Sequence, residues 1–182
     1  VKWIIYRIVS PNLLTVIFSF SIKMCLGSQL AEPKLIMNAI IVNEHLTFGN
    51  FTMIENRSPQ ESWDILQNDA TAVLIDVRTK MEHLFVGHPP QSVHIPWKEA
   101  PDFQLNTHFV ESVHRVAPNF NIPILLLCRS GQRSLEAAVA LENSGYLRLI
   151  NIVDGFEGAL DQNKQRGHLN GWRFVGLPWQ QS

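Results

Sequence analysis

The chain has little of what staples small extracellular folds or anchors a protein in a membrane. Only two of its 182 residues are cysteines, Cys25 and Cys128, and they lie far apart. That excludes a disulfide framework, and no Cys-x-x-Cys pair is present to hold a structural metal. Charge is scarce and balanced: 15 Lys and Arg against 16 Asp and Glu give a net charge of −1, and charged residues make up 17% of the chain. Such a balance implies no general affinity for nucleic acid or for an anionic membrane. Long apolar runs are missing too. The mostly apolar stretch 13–22 is well short of the roughly 20 residues that a membrane helix needs.

What is present fits one domain of ordinary size with a core large enough to be stable alone. Ser58-Pro59-Gln60-Glu61 is a capping box with proline at the first helical position, and it predicts a helix running to about Asn68. Residues 72–77 form a near-continuous apolar run, as in a parallel strand buried on both faces. Phe109, Val110, Val113 and Val116 recur at helical spacing within 103–117, and Pro118 stops that pattern. A second amphipathic pattern covers 134–144, with Gly145 as its terminator. A strand over 147–153 and a short helix over 156–160 complete the series. Strands alternating with helices imply an α/β fold, with a mostly parallel central sheet flanked by helices on both faces.

Residues 125–135 carry the chemistry. They read Leu-Leu-Leu-Cys-Arg-Ser-Gly-Gln-Arg-Ser-Leu. The apolar run 122–127 predicts a buried strand that ends at Cys128, and a polar loop then leads into a helix opening near Ser134. A cysteine in that setting sits among backbone N–H groups, a helix N-terminus and two guanidinium groups, which suit a sulfur nucleophile beside an anion cradle. A lone cysteine is more often a small buried apolar residue. Arg129 and Arg133 crowding around Gly131 have little structural use, however, and they point to a functional loop. Its place at the carboxyl end of a strand is where open α/β sheets hold ligands.

Four residues separate Cys128 from Arg133: Arg129, Ser130, Gly131 and Gln132. In this length and setting the loop resembles that of the rhodanese family. Cysteine phosphatases and arsenate reductases use one residue more, which makes room for a tetrahedral oxyanion. The likeness extends to Leu74-Ile75-Asp76-Val77-Arg78-Thr79 with Glu82 following, to Gly87-His88-Pro89-Pro90 and Ser92-Val93-His94-Ile95-Pro96, and to Asn151-Ile152-Val153-Asp154-Gly155-Phe156. These pieces cover about 54–160 in the family's order. Over that segment, and in its Gly171-Trp172…Gly176-Leu177-Pro178-Trp179 tail, the chain resembles single-domain bacterial rhodaneses of the thiosulfate sulfurtransferase type.

That resemblance implies a sulfurtransferase that carries sulfane sulfur as a persulfide on Cys128, without metal or organic cofactor. Arg129, Ser130, Gly131, Gln132, Arg133 and Ser134 would bind the donor, a small anion such as thiosulfate. A thiol or cyanide would accept the sulfur, and a protein can serve as acceptor too. Arginines at both loop positions favour an inorganic anionic donor over mercaptopyruvate. Asp76 and Arg78 are expected in supporting roles, Asp76 tying down its own turn and Arg78 pairing with Glu82. His83, His88 and His94 are spaced by five and six residues, which matches no familiar metal-ligand pattern. The alternatives are a sulfur-carrier or partner-binding module without efficient turnover and, further off, a phosphatase or arsenate reductase.

Residues 53–160 are expected to form the domain. Residues 161–182, with Trp172, Phe174 and Trp179, are expected to dock on it as a tail. Residues 1–52 form an N-terminal extension. Lys2 and Arg7 followed by 13–22 have the outline of a poor signal segment, with small residues near Cys25-Leu26-Gly27. The competing reading starts the natural chain at Met53. Residues 35–42 could add a strand or helix. The location expected is cytoplasmic. Export, tethering or membrane contact follows only if residues 1–30 are a genuine targeting segment.

Overall fold

The computed structural model describes residues 2–7, 17–22 and 54–181. The chain divides into two units, 1–48 and 49–182. In the first, β1 (Lys2–Arg7) and β2 (Ile17–Ile22) pair antiparallel, with Lys2 opposite Ile22 and Arg7 opposite Ile17. The small-residue positions at 25–27, the segment 35–42 and Met53 lie outside the described residues. No described helix is long and apolar enough to cross a membrane.

The second unit is built on a five-stranded sheet. Its strands are β3 (Glu55–Arg57), β4 (Val73–Asp76), β5 (Val93–His94), β8 (Ile124–Leu127) and β9 (Leu149–Ile152), in the order β3-β9-β8-β4-β5 with every pairing parallel. A small antiparallel pair, β6 (Lys98–Glu99) with β7 (Gln104–Leu105), stands apart from it. Every residue of β8 and β9 is buried. The two-residue alternation of a strand divides their side chains between two cores. Ile124 and Leu126 face a core shared with Ile75, Phe109, Val113, Ala137 and Leu141. Leu125 and Leu127 face one shared with Leu74, Ile152, Phe156 and Trp172.

Helices cover both faces, as the alternating pattern requires. α1 (Pro59–Asn68) lays Trp63 and Leu66 on the Trp172 side. Its first turn is held by the expected capping box: Ser58 Oγ accepts from the Glu61 N–H, and the Glu61 carboxylate accepts from the Ser58 N–H. Such a cap contributes about 1 kcal/mol. α2 (Phe109–Val116) and α3 (Gln132–Asn143) cover the other face, and Gly145 follows α3 at φ 98°. Of the residues after 160, Trp172 and Leu177 pack on the α1 side. Trp172 is fully buried there, edge-on to Trp63 at 5.8 Å between ring centroids, and its indole N–H donates to the Pro178 carbonyl.

Three elements differ from the sequence expectation. The helix expected over 103–117 begins only at Phe109. Phe103 adopts φ 51°, Gln104 and Leu105 pair with β6, and the Asn106 side chain accepts from the His108 N–H to make the turn into α2. The helix expected over 156–160 is a series of turns. There the carbonyls of Gly155, Phe156 and Glu157 accept from the N–H groups of Trp172, Arg173 and Gly167, so the oxygens a helix would bond internally are taken by the tail. α3 starts at Gln132, two residues before Ser134.

Candidate active site

β8 delivers Cys128 to the carboxyl edge of the sheet, where the cysteine is 1% exposed. The chain then turns through Arg129 and Ser130 into Gly131, at φ 93°, which opens α3. This reversal brings the Gly131 N–H back to the Cys128 sulfur, at 3.1 Å from Sγ. Among the described residues it is the one backbone amide within hydrogen-bond reach of that sulfur. Only glycine fits here. A Cβ at 131 would lie 2.0 Å from the Val153 carbonyl oxygen, on top of a backbone conformation that disfavours side chains.

A second glycine clamps the loop from beneath. Gly155, at φ 58°, has the Cys128 carbonyl and the Ser130 amide within 2.5 Å of where a Cβ would stand. The turn it makes lets Phe156 N–H donate to the Cys128 oxygen at 2.8 Å and Glu157 N–H to the Arg129 oxygen at 2.9 Å. The loop carbonyls are thereby tied to the segment after β9.

Ser134, in the first turn of α3, is fully buried. Its Oγ lies 3.3 Å from Cys128 Sγ and donates to Asn151 Oδ1 at 2.7 Å. Asn151 in turn donates through Nδ2 to Asn56 Oδ1 at 2.9 Å. Neither asparagine was expected in the site from sequence. The one available signal was an amide in the middle of the apolar strand Leu149-Ile150-Asn151-Ile152.

The two loop arginines part company. Arg129 is exposed. Arg133 is half-buried and forms a bidentate pair with Glu82, Nη1 to Oε2 at 2.8 Å and Nη2 to Oε1 at 2.7 Å. Glu82 also accepts from the Thr79 N–H and hydroxyl. Burial disfavours its carboxylate, but the Arg133 and Thr79 hydrogen bonds outweigh that and pull its pKa down to about 2. Burial likewise opposes the Arg133 charge, and Glu82 more than compensates, so its pKa is raised. Ser130 is half-buried and Gln132 exposed, and neither side chain reaches the sulfur among the described contacts.

The expected Arg78–Glu82 pair does not form. Arg78 is completely buried and turns back on Asp76, Nε to Oδ1 at 2.9 Å and Nη2 to Oδ2 at 2.6 Å, while Nη2 also reaches the Gly87 carbonyl. Its guanidinium stacks 4.1 Å over the Phe156 ring. Asp76 does tie down its turn, accepting from the Arg78 N–H at 3.1 Å. Burial works against its charge, but hydrogen bonds from His83 and Arg78 win and hold its pKa well below the usual carboxylate range. This pair joins the end of β4 to the loop after it.

The three histidines stack instead of converging. His83 lies 3.8 Å from His88 and 4.3 Å from His94, ring centroid to centroid. His83 Nδ1 meets Asp76, while His88 Nδ1 and His94 Nε2 lie against backbone carbonyls. Burial lowers the pKa of His94. Among the described residues, no group of three or more His, Cys, Asp or Glu is arranged to hold a metal ion.

Residues 58–162 match the rhodanese-like domain. An uncharacterized protein of Rickettsia conorii is 34% identical over 134 residues, covering 70% of this chain and 98% of the relative. The thiosulfate sulfurtransferase GlpE of Haemophilus influenzae is 27% identical over 101 residues, covering 56% of this chain and 83% of GlpE. Among solved structures, Rv0390 of M. tuberculosis superposes with a TM-score of 0.65 at 36% identity, over 72% of this chain and all of that one.

Proposed function

The chain belongs to the rhodanese-like domain family, and on that premise we propose that it moves sulfane sulfur from an anionic donor such as thiosulfate to a thiophilic acceptor through a persulfide on Cys128. One observation carries the reading: Cys128 Sγ at the carboxyl edge of the sheet, 3.1 Å from the Gly131 N–H, in a loop too tight for a side chain at 131. The GlpE relative, named as a thiosulfate sulfurtransferase, supports the choice of donor.

In the first half-reaction the Cys128 thiolate attacks the outer sulfur of thiosulfate. A sulfur–sulfur bond forms to Sγ, the one to the sulfonate sulfur breaks, and sulfite leaves with the electron pair. The Gly131 N–H stays beside Sγ, a fixed donor where charge collects and is released. In the second half-reaction a thiol or cyanide attacks the outer sulfur of the persulfide and restores the thiolate, so the kinetics are ping-pong. Arg129, exposed on the loop, is the cation that meets the incoming anion, whereas the charge of Arg133 is engaged by Glu82. A protein carrying a thiol is an acceptor of the same chemistry.

The test is the intact mass of the reduced protein before and after thiosulfate, beside Cys128→Ser. A gain of one sulfur, reversed by thiol and absent from the variant, is expected. No gain in a folded, reduced protein would reject thiosulfate as the donor.

A further inference from the structure

Phe103 combines three features that no packing role accounts for. Its φ is 51°, in the left-handed region, which makes a bulky side chain an outlier. Such strain persists only where the surrounding structure imposes it, and it gathers at functional sites. The side chain is 54% exposed and belongs to neither core. Its ring centroid lies 6.0 Å from the Arg133 guanidinium.

The hairpin that carries this ring is fastened to the helix behind the Cys loop. Glu136 on α3 accepts from Trp97 Nε1 at 3.0 Å and from Lys98 Nζ at 2.6 Å, just ahead of and within β6. Glu99 accepts from the Lys80 N–H at 3.1 Å. Arg133 is one turn before Glu136 and next to Ser134, whose Oγ is 3.3 Å from Cys128 Sγ. The ring, immediately before β7, therefore stands at the rim of the sulfur site. With its charge balanced by Glu82, Arg133 forms with that ring a flat and nearly neutral shelf. A small dianion such as thiosulfate gains nothing from such a shelf, and neither does cyanide. A sulfur carried on an apolar body does, because the body covers the exposed ring.

We propose that Phe103 is the acceptor-specificity residue: its ring receives the apolar body of an organic thiol whose sulfur attacks the persulfide on Cys128. The inference deepens the proposed sulfur transfer and rests on it. In that step a bond forms between the acceptor sulfur and the outer sulfur of the persulfide. The bond to Sγ breaks, Sγ keeps the electron pair, and the acceptor leaves as its own persulfide.

The experiment compares benzyl mercaptan with 2-mercaptoethanol, thiols of similar basicity and so of similar intrinsic nucleophilicity. The full chain is loaded with sulfur from thiosulfate, and loss of that sulfur to each thiol is followed by intact mass in a single turnover. The parent is expected to react about fivefold faster with benzyl mercaptan. Phe103→Asn, whose side chain suits a left-handed backbone, should abolish that preference. Its rates of loading and of transfer to 2-mercaptoethanol and cyanide should be unchanged. Phe103→Tyr should keep the preference. Phe103→Gly, which the backbone also allows, decides the matter if Phe103→Asn fails to fold. A parent without the preference would overturn the proposal. So would a preference that survives removal of the ring, or an equal slowing of all three acceptors. The unloaded sulfur gives an independent reading through alkylation of Cys128 by N-benzyl iodoacetamide and by iodoacetamide, each relative to a free thiol. The parent should favour the benzyl reagent and Phe103→Asn should not. That preference in a chain that thiosulfate does not load would count against the donor reading alone. Normal loading with no preference in either assay would count against Phe103 alone.

Discussion

Arg133 and Glu82, 51 residues apart in the chain, meet fork to fork across two hydrogen bonds of 2.7 and 2.8 Å. Bidentate pairs of this kind fix geometry as well as charge. Here the pair fastens the first turn of α3 to the turn that follows Thr79, and Thr79 locks the carboxylate from its other side. It also changes what the loop offers an anion. Two guanidinium groups are close to the sulfur in sequence, yet the charge of one is already balanced.

Removing that balance should alter donor affinity. Glu82→Gln keeps a hydrogen-bond acceptor for Arg133 but leaves the guanidinium charge uncompensated. The KM for thiosulfate is expected to fall about three- to tenfold, the size of one charge-assisted contact less the cost of a looser loop. Arg129→Ala should raise it by a similar factor. Steady-state kinetics at constant ionic strength check both, and a KM in Glu82→Gln that is unchanged or higher would show that Arg133 does not face the donor.

The same pair ties stability to pH. Glu82 has its pKa lowered from 4.5 to about 2, and Asp76 is displaced in the same direction. At acid pH the unfolded chain therefore binds more protons than the folded one. Stability is fully present above pH 4.5 and falls as pH drops toward 2. Denaturant melts at pH 6, 4.5 and 3 should show that decline, and it should be shallower in Glu82→Gln. Equal acid slopes in parent and variant would sink this assignment to Glu82.

The sequence made the skeleton of the site readable because its parts are local. The capping box at Ser58, the apolar runs of β4 and β8, and the step from Cys128 through Gly131 into α3 are each written in neighbouring residues. Partner choice was not readable in the same way. Glu82 lies four residues from Arg78, a spacing that favours pairing on a helix, but the segment forms a wider turn over Glu82–Val86 and Arg78 points inward to Asp76. Arg133 thus becomes the partner of Glu82 through tertiary packing alone. The Ser134–Asn151 contact has the same origin, since it joins α3 to β9 across the sheet face. The region 156–160 misled for a related reason: the carbonyls of Gly155, Phe156 and Glu157 accept from N–H groups of the tail instead of from a following helical turn.

Gly131→Ala should separate loop geometry from loop chemistry, because it removes no polar group. A Cβ there would collide with the Val153 carbonyl at 2.0 Å while the backbone sits at φ 93°. The loop must shift, and the Gly131 N–H moves off the sulfur with it. A loss of about 1–3 kcal/mol in stability is expected from the strained backbone, together with a fall in persulfide formation of at least about tenfold at temperatures where the variant is folded. Denaturant melts and single-turnover mass measurements check the two effects. Full activity in Gly131→Ala would mean that the amide beside Sγ is not needed.

Trp172 tests how far the tail supports the site. Its backbone N–H donates to the Gly155 carbonyl at 2.9 Å, and Arg173 N–H reaches the Phe156 carbonyl at 3.2 Å. Gly155 and Phe156 are the residues that hold the Cys loop from beneath, so the tail, the turn and the loop form one connected stack. The indole itself is buried against Trp63, Leu125 and Leu127 on the face away from Cys128. Trp172→Ala therefore leaves a cavity beneath the sheet and should cost about 3–5 kcal/mol, whereas Trp172→Phe should cost less. Because the reacting atoms lie across the sheet, the KM for thiosulfate of the fraction that remains folded should stay within about twofold of the parent. Melts combined with kinetics below the transition separate these effects. A stability loss under about 1 kcal/mol would mean that the tail rests on the domain without supporting it.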